Sequence, residues 1–559
     1  MSSGSGVSES LRALLGVDAV KAASTAAVLG VVFHNTFLRI VEVEAFMYTL
    51  VAAGFLTLVG LFGVHLYAGL APLAALARVT LLSTSFNGAV FLSIVIYRCF
   101  FHRLRRFPGP PLAKVSRFYS AYKASQGLKY FRQIREWNEQ YGDFIRTGPR
   151  ELAIIRKSAV PIIFGPLSET RKSTWYGQVD TDPVKCSIHM TRDHEQHKRR
   201  RRTWDRGFSI KALNTYEPAI NSKVNEFIEQ LSSRGTIDAT AWSMYLSFDI
   251  MGKVGFGKEF NSVTSGEEHP AIEGVHSSMN ILGIMSHVPW LLNMMGKIPG
   301  AAAAYQEFFA WCGSEIEAKK KNWNAEDYPQ DIVSWLIKAV MDKDSSASPS
   351  EQALHEDSRV VIVAGSETAA TTLATILYFL SKHPDVQKKL QSQLDSALGQ
   401  QWNYEDVKTV TYIDDVINET LRLKPALLTG GHRVTPPQGI TIDGTFIPGG
   451  TNVFVPIQRI QTDPRYWKEA AEFIPERFGE RRAEMETDGA PFLPFQLGAY
   501  QCPGKNLAFL SLRIALSRVL REFDVAFAPG ETGEAFDRDV KDTFTTTLPP
   551  MMIKFTKRK

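Results

Sequence analysis

The sequence predicts a mainly α-helical protein with small β-sheets, preceded by transmembrane helices. Three observations lead to this fold class: two long N-terminal stretches lack charged residues, charged amphipathic segments dominate the rest of the chain, and strand-like alternation is confined to one short region. The chain has 559 residues, of which 44% are hydrophobic and 22% charged. This composition is sufficient for a large core, and it excludes disordered and collagen-like proteins.

The N-terminal region carries no Asp, Glu, Lys or Arg over residues 45–77 and 79–97. Each stretch is long enough to cross a hydrocarbon core, for which a helix needs about 20 apolar residues. A weaker candidate covers residues 22–32. The alternative is a set of buried helices in a soluble protein, but two consecutive charge-free runs of this length are hard to bury in a core.

A basic segment follows the last apolar stretch at residues 98–106. The positive-inside rule places such a segment on the cytosolic side of a membrane. Residues 107–111, Phe-Pro-Gly-Pro-Pro, can form neither a helix nor a central strand, so they predict a stiff hinge. We therefore predict a membrane anchor with two or three crossings over residues 1–106 and a cytosolic globular domain over residues 107–559.

Amphipathic segments predict helices in the globular domain, and one alternating region predicts a hairpin. The alternation covers residues 439–458 and includes the turn sequence Asp443-Gly444. Helix therefore outweighs strand, in one domain of about 450 residues that exceeds the usual single-domain size. A large enclosed cofactor would account for that size, because it adds a hydrophobic centre around which helices pack. The helical segments are residues 214–232, 305–321, 331–343, 385–398 and 505–523.

Charge and cysteine spacing exclude several classes of protein. There are 63 Lys and Arg against 58 Asp and Glu, a net charge of +5 that is too small for a dedicated nucleic-acid-binding protein. The cysteines are too far apart for a zinc finger, an all-cysteine iron–sulfur site or a disulfide framework. A functional cysteine must therefore act alone. The four are Cys99, Cys186, Cys312 and Cys502.

Cys502 has the surroundings that a thiolate ligand needs. A thiolate is stabilised by backbone N–H groups in a tight loop at a helix N-terminus. Gly498 and Gly504 give the chain that freedom, and an amphipathic helix is predicted directly afterwards. Phe495 would form an aromatic wall against a flat ligand. The other three cysteines are interpreted as small buried apolar residues.

Residues 495–504, with the pattern Phe-x-x-Gly-x-x-x-Cys-x-Gly, resemble the haem-binding loop of the cytochrome P450 monooxygenases. Three further motifs agree with that family and follow its order along the chain. Together they cover the chain from residue 107 onward and resemble the fungal, membrane-bound members, many of which act in secondary metabolism. The motifs are Ala364-Gly365-Ser366-Glu367-Thr368, Glu419-Thr420-Leu421-Arg422 and Pro475-Glu476-Arg477-Phe478.

The resemblance implies haem b as the cofactor, with Cys502 as the axial ligand of the iron and with Phe495, Gly498 and Gly504 shaping the loop. It implies that Glu367 and Thr368 form an acid–alcohol pair that delivers protons during oxygen activation. Gly365 would let the backbone of a long helix approach the haem. Ala364 would form part of the floor against the substrate.

Glu419 and Arg422 are three residues apart, so they share one face of a helix. Alone they would be an ordinary surface pair of small energetic value. The resemblance assigns them, together with Arg477, to a buried cluster that braces the core near the cysteine loop. That role is structural.

The resemblance also implies that His197, Arg201 and Arg433 bind the haem propionates. Many family members have Arg or His two residues before the ligand cysteine, whereas this chain has Tyr500, which can donate a hydrogen bond but no charge. The neutralising charge must therefore come from other residues. The remaining cations of residues 197–202 would attract an acidic electron donor.

The implied reaction inserts one oxygen atom from O2 into a lipophilic small molecule such as a terpenoid, a sterol, a resin acid or an aromatic compound. Electrons would come from NADPH through a cytochrome reductase, and the catalytic domain would face the cytosol from the endoplasmic reticulum membrane. Substrate-contacting loops are expected near residues 175–188 and 279–295. Two alternatives stay open: a haem-thiolate isomerase or dehydratase that does not use O2, and a non-enzymatic membrane haem protein.

Overall fold

The computed structural model describes residues 18–177, 182–296, 298–300, 303–324 and 326–559. The chain packs into two units, one that ends at Arg117 and one from Phe118 to Lys559. The boundary after residue 106, between a membrane anchor and a cytosolic domain, stays a prediction.

The first unit is built from apolar helices. The second helix and the third, which continues through a π-helical turn to Phe101, are long and apolar enough to cross a membrane. Almost none of the apolar side chains of these two helices is buried, as expected for helices that face lipid. The helices are α1 (Ala19–Phe33), α2 (Met47–Tyr67), α3 (Pro72–Ile96) and α4 (Pro111–Val115).

The break between α2 and α3 does not coincide with the charge that separates the two apolar stretches of the sequence. That charge, Arg78, lies inside α3. The helices are instead separated by Gly69, whose φ of 92° is left-handed, and α3 begins at Pro72. A positive φ ends a helix and a proline favours the start of the next, whereas a single arginine does neither.

The second unit is mainly helical, with small sheets, which confirms the predicted fold class. All five predicted amphipathic segments lie in helices, namely α9, α14, α15, α17 and α21 of the following list. The helices are α5 (Phe118–Ser125), α6 (Tyr130–Tyr141), α7 (Ala159–Phe164), α8 (His194–Gly207), α9 (Ile210–Arg234), α10 (Ala239–Met251), α11 (Ser262–Ser265), α12 (Pro270–Met285), α13 (Pro289–Gly296), α14 (Ala303–Lys321), α15 (Ile332–Met341), α16 (Glu351–Lys382), α17 (Pro384–Ala397), α18 (Tyr404–Val407), α19 (Tyr412–Leu423), α20 (Ile457–Gln461), α21 (Lys505–Glu522) and α22 (Glu534–Arg538).

The longest of these helices, α16, has 32 residues and runs through the main hydrophobic core. It begins at Ser350, whose side chain accepts a hydrogen bond from the backbone N–H of Ala353. Such a cap satisfies one of the free N–H groups at a helix start. Most of the second half of α16 is buried, whereas the turn around Ala364 is more accessible.

The sheets are small and local. A five-stranded sheet has the order β1-β2-β8-β5-β3, a three-stranded sheet has the order β4-β12-β9, and β6-β7 and β10-β11 are hairpins. The strands are β1 (Phe144–Gly148), β2 (Glu151–Ile154), β3 (Arg171–Lys172), β4 (Thr236–Asp238), β5 (Arg433–Val434), β6 (Ile440–Ile442), β7 (Thr445–Ile447), β8 (Asn452–Phe454), β9 (Phe523–Phe527), β10 (Lys541–Thr543), β11 (Thr545–Thr547) and β12 (Met552–Lys557).

The predicted hairpin is confirmed as β6-β7. Its turn residues, Asp443 and Gly444, both have positive φ, which matches the twist of antiparallel strands. The second hairpin, β10-β11, was not predicted; it pairs Asp542 with Thr546 and has Phe544 at its tip. This hairpin lies against α16, because the hydroxyl of Thr371 donates to the carbonyl oxygen of Thr546 at 3.1 Å.

Candidate active site

Cys502 lies in a tight loop that leads into α21. The backbone N–H of Cys502 donates to the carbonyl oxygen of Phe495 at 2.9 Å and closes the loop. Burial raises the pKa of the Cys502 thiol. The backbone N–H groups of Gly504 and Lys505 act in the opposite direction, as does the charge of Arg201. The start of α21 therefore presents N–H groups that favour a thiolate.

The backbone of the cysteine loop requires glycine at Gly498. This residue has a φ of 64°, and a Cβ there would lie 2.4 Å from the carbonyl oxygen of Phe164. Gly504 is less constrained, since a Cβ there would make ordinary contacts. Phe495, the predicted aromatic wall, packs beside Phe509 of α21 with the ring centroids 5.9 Å apart. These contacts fix the shape of the loop around the thiol.

One turn near the middle of α16 carries the predicted acid and alcohol. Ala364 is exposed although most of this helix is buried. The hydroxyl of Thr368 donates to the carbonyl oxygen of Ala364 at 2.7 Å. Gly365 packs against α10, because a Cβ there would lie 2.5 Å from the sulfur of Met251. The predicted approach of a haem to Gly365 stays a prediction.

Glu367 is buried and belongs to a chain of hydrogen-bonding groups that the sequence did not predict. The hydroxyl of Thr545 in β11 donates to Oε2 of Glu367 at 2.5 Å. His276 of α12 lies with Nε2 3.4 Å from Oε1 of Glu367 and with Nδ1 2.6 Å from Oε1 of Glu268. Burial lowers the pKa of His276, but its two carboxylate partners raise it to about 10. The protonated ring of His276 thus lies between two carboxylates, that of the buried Glu367 and that of the half-buried Glu268.

Two buried cations lie close to the Tyr500 ring. Lys172 is 4% exposed and Arg433 is 2% exposed. Their charged groups lie 5.2 Å and 4.8 Å from the centre of the Tyr500 ring. Burial lowers the pKa of Lys172 well below its usual range, and the charge of Arg433 adds to this effect. Among the described residues, no carboxylate forms an ion pair with either cation.

His197 and Arg201 of α8 have different surroundings. His197 is buried beside the Tyr500 ring, with the centroids 4.7 Å apart. Burial and the neighbouring cations lower the pKa of His197 to about 2, so its ring is neutral. Arg201 donates to the carbonyl oxygen of Gln501 at 2.5 Å and so ties the cysteine loop to α8. Below, the term basic cluster denotes Lys172, His197, Arg433 and Tyr500.

The basic cluster fits a ligand with an anionic edge. Nδ1 of His197, Nε of Arg433 and both polar side-chain atoms of Gln496 are buried without a hydrogen-bond partner. Arg433 donates to two uncharged groups, the Tyr176 hydroxyl and the His432 carbonyl oxygen. Buried polar atoms are normally paired, and the two propionate groups of a haem would supply carboxylate partners. The residues present therefore fit haem.

Glu419, Arg422 and Arg477 meet in the core, and all three are fully buried. Arg422 donates to both carboxylate oxygens of Glu419 at 2.7 and 2.8 Å, and Arg477 donates to Oε1 at 2.9 Å. The remaining guanidinium N–H groups donate to backbone carbonyl oxygens. We call these three residues the core ion cluster. The polar atoms of this cluster thus find hydrogen-bond partners within the protein.

Comparisons with known proteins show the family of the chain. The family model described as Cytochrome P450 matches residues 108–555. Cytochrome P450 monooxygenase orf5 of Eupenicillium brefeldianum is 37% identical over 472 residues, which are 84% of this chain and 94% of the relative.

Two further relatives extend the likeness along the chain. Cytochrome P450 monooxygenase FCK2 of Fusarium pseudograminearum is 34% identical over 492 residues, 87% of this chain and 88% of the relative. Tryprostatin B 6-hydroxylase of Aspergillus fumigatus is 29% identical over 549 residues, 96% of each chain. With the family model spanning the whole second unit except its last four residues, the chain belongs to the cytochrome P450 family of haem-dependent monooxygenases.

Proposed function

We propose that this monooxygenase oxidises a lipophilic small molecule of fungal secondary metabolism, with electrons that NADPH supplies through a membrane-bound cytochrome reductase. Family membership gives the haem cofactor and the use of O2. A relative named as a hydroxylase supports hydroxylation as the reaction. The proposed substrate classes are terpenoids, sterols, resin acids and aromatic compounds.

The observation that carries the proposal is the position of Cys502. Its thiol lies at the start of α21 in a loop closed by a backbone hydrogen bond. We assign Cys502 as the axial ligand and Phe495, Gly498 and Gly504 as the residues that shape its loop. Haem, when bound, supplies the activation of O2, and an axial thiolate favours cleavage of the O–O bond.

Glu367 and Thr368 are assigned to proton delivery. Glu367 is buried and hydrogen-bonded by Thr545, so its carboxyl is held in one place beside the exposed turn at Ala364. The hydroxyl of Thr368, bonded to the Ala364 carbonyl oxygen, can exchange that bond for one to a water or an oxygen species. Gly365 is assigned to the close approach of the helix backbone to the cofactor.

The basic cluster and Arg201 are assigned to the propionates. Arg433 and His197 each carry a buried nitrogen without a partner, and Lys172 adds the charge that Tyr500 lacks. Arg201 lies at the cysteine loop through its bond to Gln501. A carboxylate placed among these groups would turn an unfavourable concentration of buried positive charge into hydrogen-bonded pairs.

The outer face of α8 supports an acidic electron donor as partner. Lys198, Arg199 and Arg202 are exposed on this helix, whose other face holds His197 and reaches the cysteine loop through Arg201. Positive charge at a docking surface steers a negative partner. The exposed apolar helices α2 and α3 support anchoring by residues 1–106 in the endoplasmic reticulum membrane, with the catalytic unit on the cytosolic side.

The test of the cysteine assignment is spectroscopic. Microsomes that contain the full-length protein are reduced with dithionite and treated with carbon monoxide. We expect the red-shifted Soret band of thiolate ligation in the native protein and in the Cys312→Ala control, and its loss in Cys502→Ala. A haem-loaded Cys502→Ala variant that keeps the band would overturn the assignment.

The test of the oxygenation chemistry is the balance of NADPH and product. Thr368→Ala should lower the yield of oxidised product per NADPH by about 10-fold or more, as is typical for the loss of one proton-transfer group, with peroxide as the excess product. An unchanged yield contradicts the proton-delivery role. Product formed without NADPH and reductase would instead identify an isomerase or dehydratase.

A further inference from the structure

A partly enclosed cavity lies next to the basic cluster. Tyr176, which lines it, accepts the hydrogen bond from Arg433. The wall also includes Gly283 of α12 and the hairpin residues Asp542 and Phe544. Both segments predicted to contact substrate contribute to the wall; residues 178–181 of the first lie outside the described residues.

Asp542 is a buried carboxyl group at the wall of this cavity. It is 8% exposed, and within the described ranges its carboxylate has no hydrogen-bond or ion-pair partner. Burial raises the pKa of Asp542 to about 7, and no neighbouring charge contributes to or opposes that shift. Burial of a carboxyl without a hydrogen-bond partner is energetically unfavourable. We therefore expect a ligand in the cavity to supply a partner for Asp542.

The backbone around Asp542 is fixed on several sides. The N–H of Asp542 donates to the carbonyl oxygen of Leu128 at 2.7 Å, and across the hairpin the N–H of Thr546 donates to that of Ala426 at 2.8 Å. A Cβ on Gly283 would lie 2.9 Å from the carbonyl oxygen of Asp542, so α12 packs directly against this strand. The backbone cannot swing the carboxyl out to solvent without breaking these contacts.

Flat rings line the same cavity as Asp542. Trp175 stacks on Phe544 with centroids 5.3 Å apart and on His432 with centroids 5.5 Å apart. Phe544 has a φ of 94°, a strained value for a residue with a side chain, and such strain concentrates at ligand sites. The three rings thus form one stacked aromatic wall, and a planar ring can lie against such a wall while a donor in its own plane meets a carboxylate at the edge.

We propose that Asp542 accepts a hydrogen bond from the substrate, and that the natural substrate is an aromatic compound with an N–H group in the plane of its ring. An in-plane N–H directs its proton along the ring edge, and stacking on one aromatic wall leaves that edge free to reach the carboxyl. The inference rests on the proposed function, because it takes the cavity to be part of the substrate site of the monooxygenase.

The test compares indole with indene and benzofuran, which have the same shape but no N–H group. Binding to the full-length haem-loaded protein in microsomes is measured from the change in the Soret band. Indole should bind the native protein about 10-fold more tightly than either isostere. This preference should disappear in Asp542→Leu and persist in Asp539→Leu, an exposed acid of the same segment.

The outcomes separate this inference from the proposed function. Equal binding of the three probes, absence of indole binding, or an unchanged preference in Asp542→Leu overturns the role of Asp542, provided that the carbon monoxide band of thiolate haem is intact. Absence of that band overturns the proposed function itself.

Thermal unfolding of the same variants tests a purely structural role. A carboxyl retained for a ligand contributes nothing to the fold, so Asp542→Leu should unfold at the native temperature or above it. A fall below the unfolding temperature of Asp539→Leu would show that Asp542 supports the fold and would overturn the inference.

Discussion

The core ion cluster and the basic cluster bury similar side chains with opposite results. In the core ion cluster, one carboxylate lies between two arginines, and the remaining N–H groups reach backbone carbonyl oxygens. In the basic cluster, Lys172 and Arg433 lie beside a neutral histidine and a tyrosine, and several buried nitrogens lack partners. The first set is complete within the protein, whereas the second is complete only when an anion is added.

This difference separates structural charge from ligand-binding charge. A buried charge is tolerated when hydrogen bonds replace its lost hydration. Where the protein itself provides those bonds, the cluster stabilises one fold. Where the protein does not provide those bonds, a bound group offsets the unfavourable energy of the buried charge. Binding of that group then stabilises the folded protein.

The largest expected effect is the loss of the carboxylate in the core ion cluster. Glu419→Gln leaves two fully buried guanidinium groups without a counter-charge and should lower the free energy of unfolding by about 3–5 kcal/mol. Denaturant unfolding of the detergent-solubilised protein, followed by tryptophan fluorescence, measures the change. Glu486→Gln, at a side chain that is 72% exposed, should change it by less than about 0.5 kcal/mol. A similar loss of stability in Glu419→Gln and Glu486→Gln would contradict the stabilising role of the core ion cluster.

A smaller effect, with a different signature, is expected in the basic cluster. Lys172→Met should leave the stability of the haem-free protein within about 1 kcal/mol of the native value, because the relief of a buried charge offsets its lost hydrogen bonds. Haem affinity should fall about 10-fold, since one propionate loses a cation. The rate of haem transfer to an acceptor protein measures this loss, with the exposed Lys198→Met as control. A large loss of haem-free stability would make Lys172 structural.

The smallest effect is expected for His276, whose charge has carboxylates on both sides but whose side chain is 35% exposed. Its pKa is raised from 6.5 to about 10. The protonated ring therefore stabilises the fold fully below pH 6.5, and this contribution disappears as pH rises through about 10. Allowing for solvent screening, His276→Gln should lower the free energy of unfolding by about 0.5–1 kcal/mol at neutral pH.

The pH dependence of unfolding checks this prediction. The difference between the native protein and His276→Gln should shrink towards pH 10. His269→Gln serves as the control, because burial lowers the pKa of His269 and its ring is already neutral in that range. A difference for His276 that does not change with pH would mean that the ring acts by packing alone.

Much of the candidate site was accessible from the sequence because its parts are contiguous motifs. The loop around Cys502 and the pair Glu367-Thr368 each lie within a few residues, so their spacing alone predicts local geometry. The substitution at Tyr500 also predicted that another residue must supply positive charge. Lys172 is a candidate for that residue, and no local pattern distinguishes it from an ordinary surface lysine.

The remaining parts of the site could not be predicted, because they depend on packing between distant segments. His276 meets Glu367 across 91 residues of sequence, and Thr545 meets it across 178. In the sequence, Asp542 looks like an ordinary acid of a polar segment. Its burial depends on the packing of the hairpin against α12. Gly69 and Pro72 could have predicted the break between α2 and α3 from the sequence. The charge of Arg78 interrupts the apolar stretch more clearly, however, and it suggested a different boundary.

The hairpin β10-β11 carries Asp542 on one strand and Thr545, the donor to Glu367, on the other. Under the two proposals, substrate selectivity and proton delivery depend on the same hairpin of seven residues, from Lys541 to Thr547. Engineering that widens the range of accepted compounds through this hairpin will disturb the acid at the same time. Libraries aimed at new substrates should therefore vary the wall at Trp175 and leave the hairpin untouched.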